Sequence, residues 1–228
     1  MTQTFKEAFY FFRINLLKLL AYTFSIGILV ILLAQLLVPF FFGGMSAEEI
    51  SPETIRPFAQ MMNLVIQPIY TGGLIALIFS LATEQGRGIL NCLLAGIMRW
   101  PYMLLANVIT TFLIFCGLVL FVLPGIWLFT RLFLVPYLVM LKNQTPFEAI
   151  ANSYRYTKGY SMTILTDIVL LIIISIIFLL LLSFLQLAHP IVLLLFLLLF
   201  QSMAYVIYYR HYEILLETQL KIIENEEV

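Results

Sequence analysis

The chain has 228 residues, of which 63% are hydrophobic and only 11% are charged, and its mean hydropathy is +1.05. A soluble domain carries about a quarter charged residues, so this composition argues against a soluble globular protein and predicts an integral membrane protein. The formal net charge is zero, which argues against nucleic-acid binding because that function needs a basic surface. The unbroken apolar runs indicate helices, since lipid leaves no water for unpaired backbone groups.

Six apolar runs come close to the roughly 20 residues that a ~30 Å hydrocarbon core requires. We therefore predict an all-α, polytopic membrane protein with about six transmembrane helices, arranged as three hairpins in a single integral membrane domain. The predicted spans are residues 16–42, 64–83, 102–123, 126–141, 162–187 and 191–209. Pro124-Gly125 and His189-Pro190 are predicted turns, because proline lacks an N–H and glycine tolerates positive φ. Between the first two spans, Ser46 and Glu49 fit a capping box and predict a short surface helix.

Lys and Arg are distributed very unevenly between the two sides of the predicted topology. If the N-terminus lies inside, ten of the 12 basic residues fall in inside segments, Arg56 lies outside and Arg131 lies within a span. Because inside loops carry an excess of Lys and Arg, both termini are predicted to be cytoplasmic.

Three inside segments resemble one another when Ala8, Cys92 and Ala149 are aligned, and each predicts a cytoplasmic amphipathic helix that introduces one hairpin. In the third, Thr145 and Glu148 form a capping box around a proline at the first helical position. Such helices can contact anionic lipid or a cytoplasmic partner, or they can be collars that only set where the spans enter the bilayer. The pattern favours collars, because basic flanks are expected of any inside loop. The candidate interfacial contacts are Arg13, Arg99, Trp100, Arg155 and Lys158.

Arg131 is an ionisable residue inside a predicted span, and such residues are costly enough to be candidate functional sites. One interpretation is an anion or lipid-phosphate anchor. The other is snorkelling, or a hydrogen bond to carbonyl groups freed near Pro124. The sequence leaves both open.

Asp167 and Asn107 are the other polar candidates within spans. Asp167 is expected to lie near the interface and to bond to Ser161, Thr163 or Lys158. Asn107 is uncharged, and such residues more often pack helices together than bind a substrate.

Two further features concern the backbone. Gly72-Gly73 permits either a close helix approach or a local break of the second span. Pro136 is a candidate kink in the fourth span.

No catalytic motif is present in the sequence, so we predict that the chain is not an enzyme and has no cofactor. His189 and His211 have no Cys, Asp or second His at metal-ligand spacing, which predicts no metal site. Cys92 and Cys116 are interpreted as small buried hydrophobic residues.

Four motifs in order along the chain resemble those of the YciC family of uncharacterised bacterial inner-membrane proteins. They are Thr71-Gly72-Gly73-Leu74-Ile75; Ala95-Gly96-Ile97-Met98-Arg99-Trp100-Pro101; Leu123-Pro124-Gly125-Ile126-Trp127 with Arg131; and Thr145-Pro146-Phe147-Glu148-Ala149-Ile150 leading through Ser153-Tyr154 to Lys158-Gly159. The last two are also similar to the membrane domain attached to some glycerophosphodiester phosphodiesterases, whose chemistry is not carried over. The resemblance implies a multi-pass protein of the bacterial inner membrane and no established activity.

Three functions fit these observations. The first is a non-catalytic protein of envelope lipid or membrane homeostasis, with the amphipathic helices and Arg131 contacting anionic phospholipid. The second is a small-solute or lipid transporter with a polar cavity lined by Arg131, Asn107, Gln186 or Gln201. The third is an assembly factor for another membrane protein.

Overall fold

The structure is a computed structural model that describes residues 3–44, 49–185 and 190–226, and within these residues it is all-α, as predicted. The helices are α1 (Gln3–Phe41), α2 (Pro52–Ala82), α3 (Ile89–Met98), α4 (Trp100–Leu120), α5 (Val122–Leu132), α6 (Val135–Leu141), α7 (Pro146–Tyr156), α8 (Ser161–Phe184) and α9 (Pro190–Glu226). The predicted capping box at Ser46 and the predicted turn at His189 lie outside the described residues, as does Gln186.

Several helices are long and apolar enough to cross a membrane, which supports a multi-pass membrane protein. Within the described ranges there are five such segments: Gln3–Phe41, Glu53–Ala82, Trp100–Leu120, Val122–Leu141 and Ser161–Phe184. The sixth predicted span, residues 191–209, lies within α9 and stays a prediction, as does the arrangement in three hairpins. α1 has 39 residues and is therefore about 58 Å long, well beyond a ~30 Å hydrocarbon core.

The turn between α4 and α5 lies at Phe121, so the prediction that Pro124-Gly125 forms it is wrong. Phe121 has an extended backbone, with φ −159° and ψ 145°, between the two helices. Pro124 lies in the first turn of α5, where a missing N–H leaves no helical hydrogen bond unmade. Gly125 instead brings α5 against α4, since a Cβ there would lie 2.7 Å from the backbone nitrogen of Leu118.

The fourth predicted span is divided into α5 and α6. α5 ends at Leu132 and α6 begins at Val135, with Pro136 in the first turn of α6. Pro136 has no N–H to donate to the Leu132 carbonyl, so one helical hydrogen bond is missing at this position. The kink predicted at Pro136 is present as a two-residue interruption between α5 and α6, in which Phe133 and Leu134 keep helical dihedral angles.

α3 and α7 each fold back along the helix that precedes them, by the same backbone device. Glu84 follows α2 with φ +54°, and Asn143 follows α6 with φ +56°. Each is the second residue past its helix, where a left-handed conformation reverses the chain. Cys92 on α3 and Ala149 on α7, which occupy equivalent positions when the two segments are aligned, are both fully buried.

The first aligned segment behaves differently from the other two. Ala8 is buried like its counterparts, at 2% exposure, but the helix continues through it without interruption from Gln3 to Phe41. The separate amphipathic helix predicted before the first span is therefore the beginning of α1. No proline or glycine lies between residues 3 and 26 to end it.

Glycines allow α2 and α3 to touch backbone to backbone. A Cβ on Gly96 would lie 2.6 Å from the Ile69 carbonyl oxygen and 2.7 Å from the Gly73 nitrogen. Gly72 lies at the same contact, since a Cβ on Gly72 would lie 3.2 Å from the Cα of Gly96. α2 runs unbroken through Gly72-Gly73, so of the two interpretations of this pair the close approach is correct.

α1 packs antiparallel along α9, and contacts between them join distant parts of the sequence. The Thr23 and Ser202 hydroxyls lie 3.2 Å apart. Nearer the N-terminus of α1, Arg210 Nη2 lies 2.7 Å from Glu7 Oε2. These contacts place the beginning of α1 beside the C-terminal half of α9.

Candidate functional site

α7 begins with the capping box that the sequence predicts. The Thr145 N–H donates to Glu148 Oε2 at 2.9 Å, and the Glu148 N–H donates to the Thr145 hydroxyl at 3.5 Å. These bonds to Thr145, the backbone N–H first, lower the pKa of Glu148. The start of α7 is therefore fixed by local chemistry.

The inner face of α7 carries small residues four apart, and they pack on the end of α5. Ala149, Ser153 and Thr157 are fully buried. The Ser153 hydroxyl donates to the Arg131 carbonyl oxygen at 2.7 Å, and the Thr157 hydroxyl lies 3.3 Å from the same oxygen. The end of α5 thus obtains hydrogen-bond donors from a neighbouring helix, as an interrupted membrane helix requires.

The Arg131 side chain lies between two aromatic rings. Its guanidinium carbon is 5.0 Å from the Trp127 ring centroid and 4.7 Å from that of Tyr154. Nη1 donates to the Tyr154 carbonyl oxygen at 3.2 Å, and the residue is 8% exposed. Nε has no hydrogen-bond partner within the described part of the chain. The observed contacts of Arg131 are with protein, and they join α5 to α7.

Beside this contact lies an open groove of about 530 Å³, which we call the α7 groove. Its wall is formed by three leucines of α4 and α5, and its edge by the outer face of α7. The lining residues are Leu113, Leu128, Leu132, Ile150, Ala151, Tyr154, Arg155 and Lys158.

Arg155 and Lys158 make the edge of the α7 groove basic. Both are exposed, and neither forms an ion pair with any residue that the structure describes. No acidic residue is among the described lining residues. The groove thus combines an apolar wall with two available cations.

Arg99 and Trp100, at the junction of α3 and α4, are engaged with other elements. Arg99 donates a hydrogen bond to the Asn143 side chain, in the loop before α7, and lies 5.7 Å from the Tyr102 ring centroid. The Trp100 indole N–H donates to the Val65 carbonyl oxygen at 2.7 Å. Both residues therefore connect structural elements.

The remaining polar candidates lie apart from the α7 groove. Asn107 donates to the Gln67 side-chain oxygen at 3.1 Å, between α4 and α2, and lines a separate cavity. Arg13 is exposed on α1. The structure therefore brings together Arg131, Arg155 and Lys158 around α7, and leaves Arg13, Arg99, Trp100, Asn107 and Asp167 elsewhere.

Asp167 pairs with His211, an association that is not among the partners predicted for Asp167. Its Oδ2 lies 3.0 Å from His211 Nε2, and both side chains are almost fully buried. Ser161, one of the partners expected for Asp167, donates instead to the Thr157 carbonyl oxygen. A usable signal existed, since Asp167 lies one to two turns into α8 and His211 just beyond the last apolar run. The predicted topology puts both positions at the same side.

Within the described ranges, the structure has no group of three or more His, Cys, Asp or Glu side chains placed to hold a metal ion. The two cysteines are free thiols, Cys92 buried and Cys116 partly exposed.

Comparison with known protein families assigns most of the chain to a family. The family model described as "Uncharacterised protein family (UPF0259)" matches residues 54–214, well over half of the chain. The matched region contains α3 to α8, the α7 groove and the Asp167–His211 pair. No curated protein and no solved structure matches the chain.

Proposed function

This chain belongs to UPF0259, the YciC-type uncharacterised family, and from the geometry of the α7 groove we propose that it is a non-catalytic, lipid-binding membrane protein. Its ligand is an anionic phospholipid, and its role lies in envelope lipid or membrane homeostasis. The observation that carries the proposal is the pair of exposed cations, Arg155 and Lys158, at the edge of a leucine-lined groove.

The charges select the headgroup. Arg155 and Lys158 have no acidic neighbour in the described lining of the groove, so a phosphate would supply their counter-charge. A guanidinium matches two phosphate oxygens at once, whereas an ammonium acts as a point charge. Arg155 also lies in the last turn of α7, where the helix dipole stabilises a positively charged side chain.

The apolar wall suits an acyl chain. Leu113 of α4 and Leu128 of α5 line the groove opposite the α7 edge. An acyl chain that moves from the bilayer onto these leucines replaces contacts with other lipids by contacts with protein, and the free-energy change is small because both surroundings are apolar. The headgroup contacts therefore decide which lipid is retained.

Arg131 has a positioning role in this proposal. Its guanidinium is enclosed by Trp127 and Tyr154, and its carbonyl accepts hydrogen bonds from α7. It would therefore hold α7, with Arg155 and Lys158, at a fixed place on the groove. This differs from the direct lipid contact that the sequence suggests for Arg131.

Two features of the setting are part of the proposal. The bacterial inner membrane is the location that the family resemblance implies, and hairpins are the arrangement that we propose for the spans. Both termini are proposed to be cytoplasmic, because basic residues concentrate on one side of the predicted topology. A fluorescent protein fused after Val228 is expected to fold and fluoresce in cells, whereas alkaline phosphatase fused there is expected to be inactive. An active alkaline phosphatase and a dark fluorescent protein would show instead that the C-terminus lies outside.

The lipid test compares three purified proteins in mild detergent by native mass spectrometry. They are the unchanged chain, the double variant Arg155→Gln/Lys158→Gln, and the control Arg13→Gln/Lys18→Gln, which removes the same charge from exposed positions on α1. The groove variant is expected to lose bound phosphatidylglycerol by about two- to thirtyfold, because each exposed charge contact is worth roughly 0.2–1 kcal/mol. The control is expected to keep it.

Titration with phosphatidylcholine is the matched lipid control, and its binding is expected to be weak in all three proteins. Equal phosphatidylglycerol occupancy in the three proteins, or an equal loss in the α1 control, would refute the assignment of the lipid to the α7 groove.

A further inference from the structure

The break between α5 and α6 borders a second cavity, of about 220 Å³. Leu132 and Phe133, at the break, form part of its wall together with residues of α2, α4 and α9. The Leu132 carbonyl has lost its helical donor, because the residue four positions later is Pro136. A carbonyl group without its helical donor is tolerated at membrane depth where it is buried in protein or lines a cavity. Interrupted helices of this kind form binding sites in membrane proteins.

Polar side chains converge on this cavity from three other helices, α2, α4 and α9. Asn107 and Gln67 share one hydrogen bond of 3.1 Å, which leaves an acceptor on Asn107 and a donor on Gln67 for a further partner. The hydroxyl of Thr110 also lines the cavity, and it is buried with no partner in the described part of the chain. A second polar pair completes the wall, the Thr71 and Tyr205 hydroxyls at 3.1 Å.

The charge and size of the cavity restrict what it can hold. Among the described lining residues none is Lys, Arg, Asp, Glu or His, so a buried ion would find no counter-charge. The volume corresponds to roughly seven water molecules at about 30 Å³ each. Aromatic rings of Phe129, Phe133 and Tyr208 make up much of the apolar wall, which is the usual composition of a small-molecule site.

We propose that this cavity is a binding site for a small, uncharged solute with both hydrogen-bond donors and acceptors, a polyol or an amide. Asn107 and Gln67 would pair with its hydroxyl or amide groups, and Thr110 would supply the third contact. This goes beyond lipid binding at the α7 groove, since Leu132 is the one described residue that lines both. The two proposals can therefore fail separately.

The site is tested by thermal unfolding of the full chain in detergent. The probes are glycerol, erythritol and acetamide, with sodium acetate and choline chloride at the same osmolarity as charged controls. Polyols also stabilise proteins generally by exclusion from the surface, an effect that rises with concentration without saturating. Site binding is therefore read as the saturable part of the shift in unfolding temperature.

The variants are Asn107→Leu and Thr110→Val, with Thr166→Val as the control. The control also replaces a threonine with valine. Thr166 lies on α8, where its hydroxyl bonds only to the Met162 carbonyl oxygen and faces outwards. At least one neutral probe is expected to give a saturable shift. That binding should weaken by about two- to tenfold in Thr110→Val, the effect of losing one hydrogen bond, and should be unchanged in Thr166→Val.

The Thr110→Val variant keeps the test decisive if Asn107→Leu fails to fold, because the Thr110 hydroxyl has no hydrogen-bond partner to lose among the residues that the structure describes. The proposal is overturned if no neutral probe shows saturation, if acetate or choline binds equally well, or if Thr110→Val binds like the unchanged chain.

Discussion

The contact between α2 and α3 leads to a quantitative prediction for Gly96→Ala. The added Cβ would lie 2.6 Å from the Ile69 carbonyl oxygen and 2.7 Å from the Gly73 nitrogen, and both are backbone atoms that cannot rotate away. Overpacking of this kind costs about 1–3 kcal/mol, and a contact with rigid backbone belongs at the upper end. Alanine regains roughly 1 kcal/mol through its better helix propensity. The net loss is therefore about 2 kcal/mol.

The matched control is Gly27→Ala, within α1, where nothing lies within 4 Å of an added Cβ. It removes the same flexibility without the collision and is expected to be neutral or to stabilise by up to about 1 kcal/mol. For a chain of this size 1 kcal/mol corresponds to roughly 2–4 °C in unfolding temperature. Gly96→Ala is thus expected to unfold about 4–8 °C below the unchanged protein.

The assay can use a thiol-reactive fluorophore in a Cys116→Ser background. Cys92 is then the remaining cysteine, and it is fully buried at the same helix contact. Its labelling during heating reports the separation of α3 from α2 directly. The reasoning is refuted if Gly96→Ala unfolds at the same temperature as its parent, or if Gly27→Ala loses as much as Gly96→Ala.

Three further substitutions have expected outcomes. Asp167→Asn should destabilise the protein by about 1–3 kcal/mol, because it replaces the buried carboxylate that bonds to His211 with a neutral amide; a double-mutant cycle with His211→Asn should show coupling in thermal unfolding, and additive effects would contradict the pair. Arg131→Lys should cost about 1–3 kcal/mol and weaken phosphatidylglycerol binding, since it keeps the charge but loses the planar stacking between two rings; unchanged stability and binding would argue against its positioning role. The Thr145 contacts lower the folded-state pKa of Glu148, so its contribution to stability is present above the ordinary value of 4.5 and is lost as pH falls through the folded pKa. Glu148→Gln should therefore reduce the unfolding temperature at pH 7 and have little effect near pH 3, and an equal reduction at both pH values would contradict this.

Features set by neighbouring residues were predictable from the sequence. The start of α7 follows from Thr145, Pro146 and Glu148, which interact within one turn. Cys92 is buried, as its small apolar side chain within an apolar segment predicts. In both cases the residue types that determine the feature lie within a few positions of it in the sequence, so the feature can be predicted from the sequence alone.

Features set by packing between distant helices were not predictable in the same way. The sequence marks Arg131 as important, but its partners Ser153 and Tyr154 depend on how α7 folds back. Small residues four apart, Gly96 after Cys92 and Ser153 after Ala149, are the signal that would have indicated two buried faces.

The turn at Phe121 shows a different reason for an incorrect prediction. Pro124 and Gly125 are strong turn residues, yet proline is equally suited to the first turn of a helix, and glycine equally suited to a close contact between helices. Composition alone does not separate these uses. The choice depends on where α4 meets α5 in space.

The two kinds of helix contact have different consequences during synthesis of the chain. α3 and α7 rest on segments made shortly before them: Gly96 follows Gly72 closely, and Ser153 is 22 residues from Arg131. Each can dock while later parts of the chain are still being translated. The contact of Glu7 with Arg210 spans 203 residues, and that of Thr23 with Ser202 spans 179. The face of α1 that packs on α9 therefore has no partner until α9 leaves the ribosome. In a nascent chain stopped before α9, this face would be accessible to chaperones and membrane proteases.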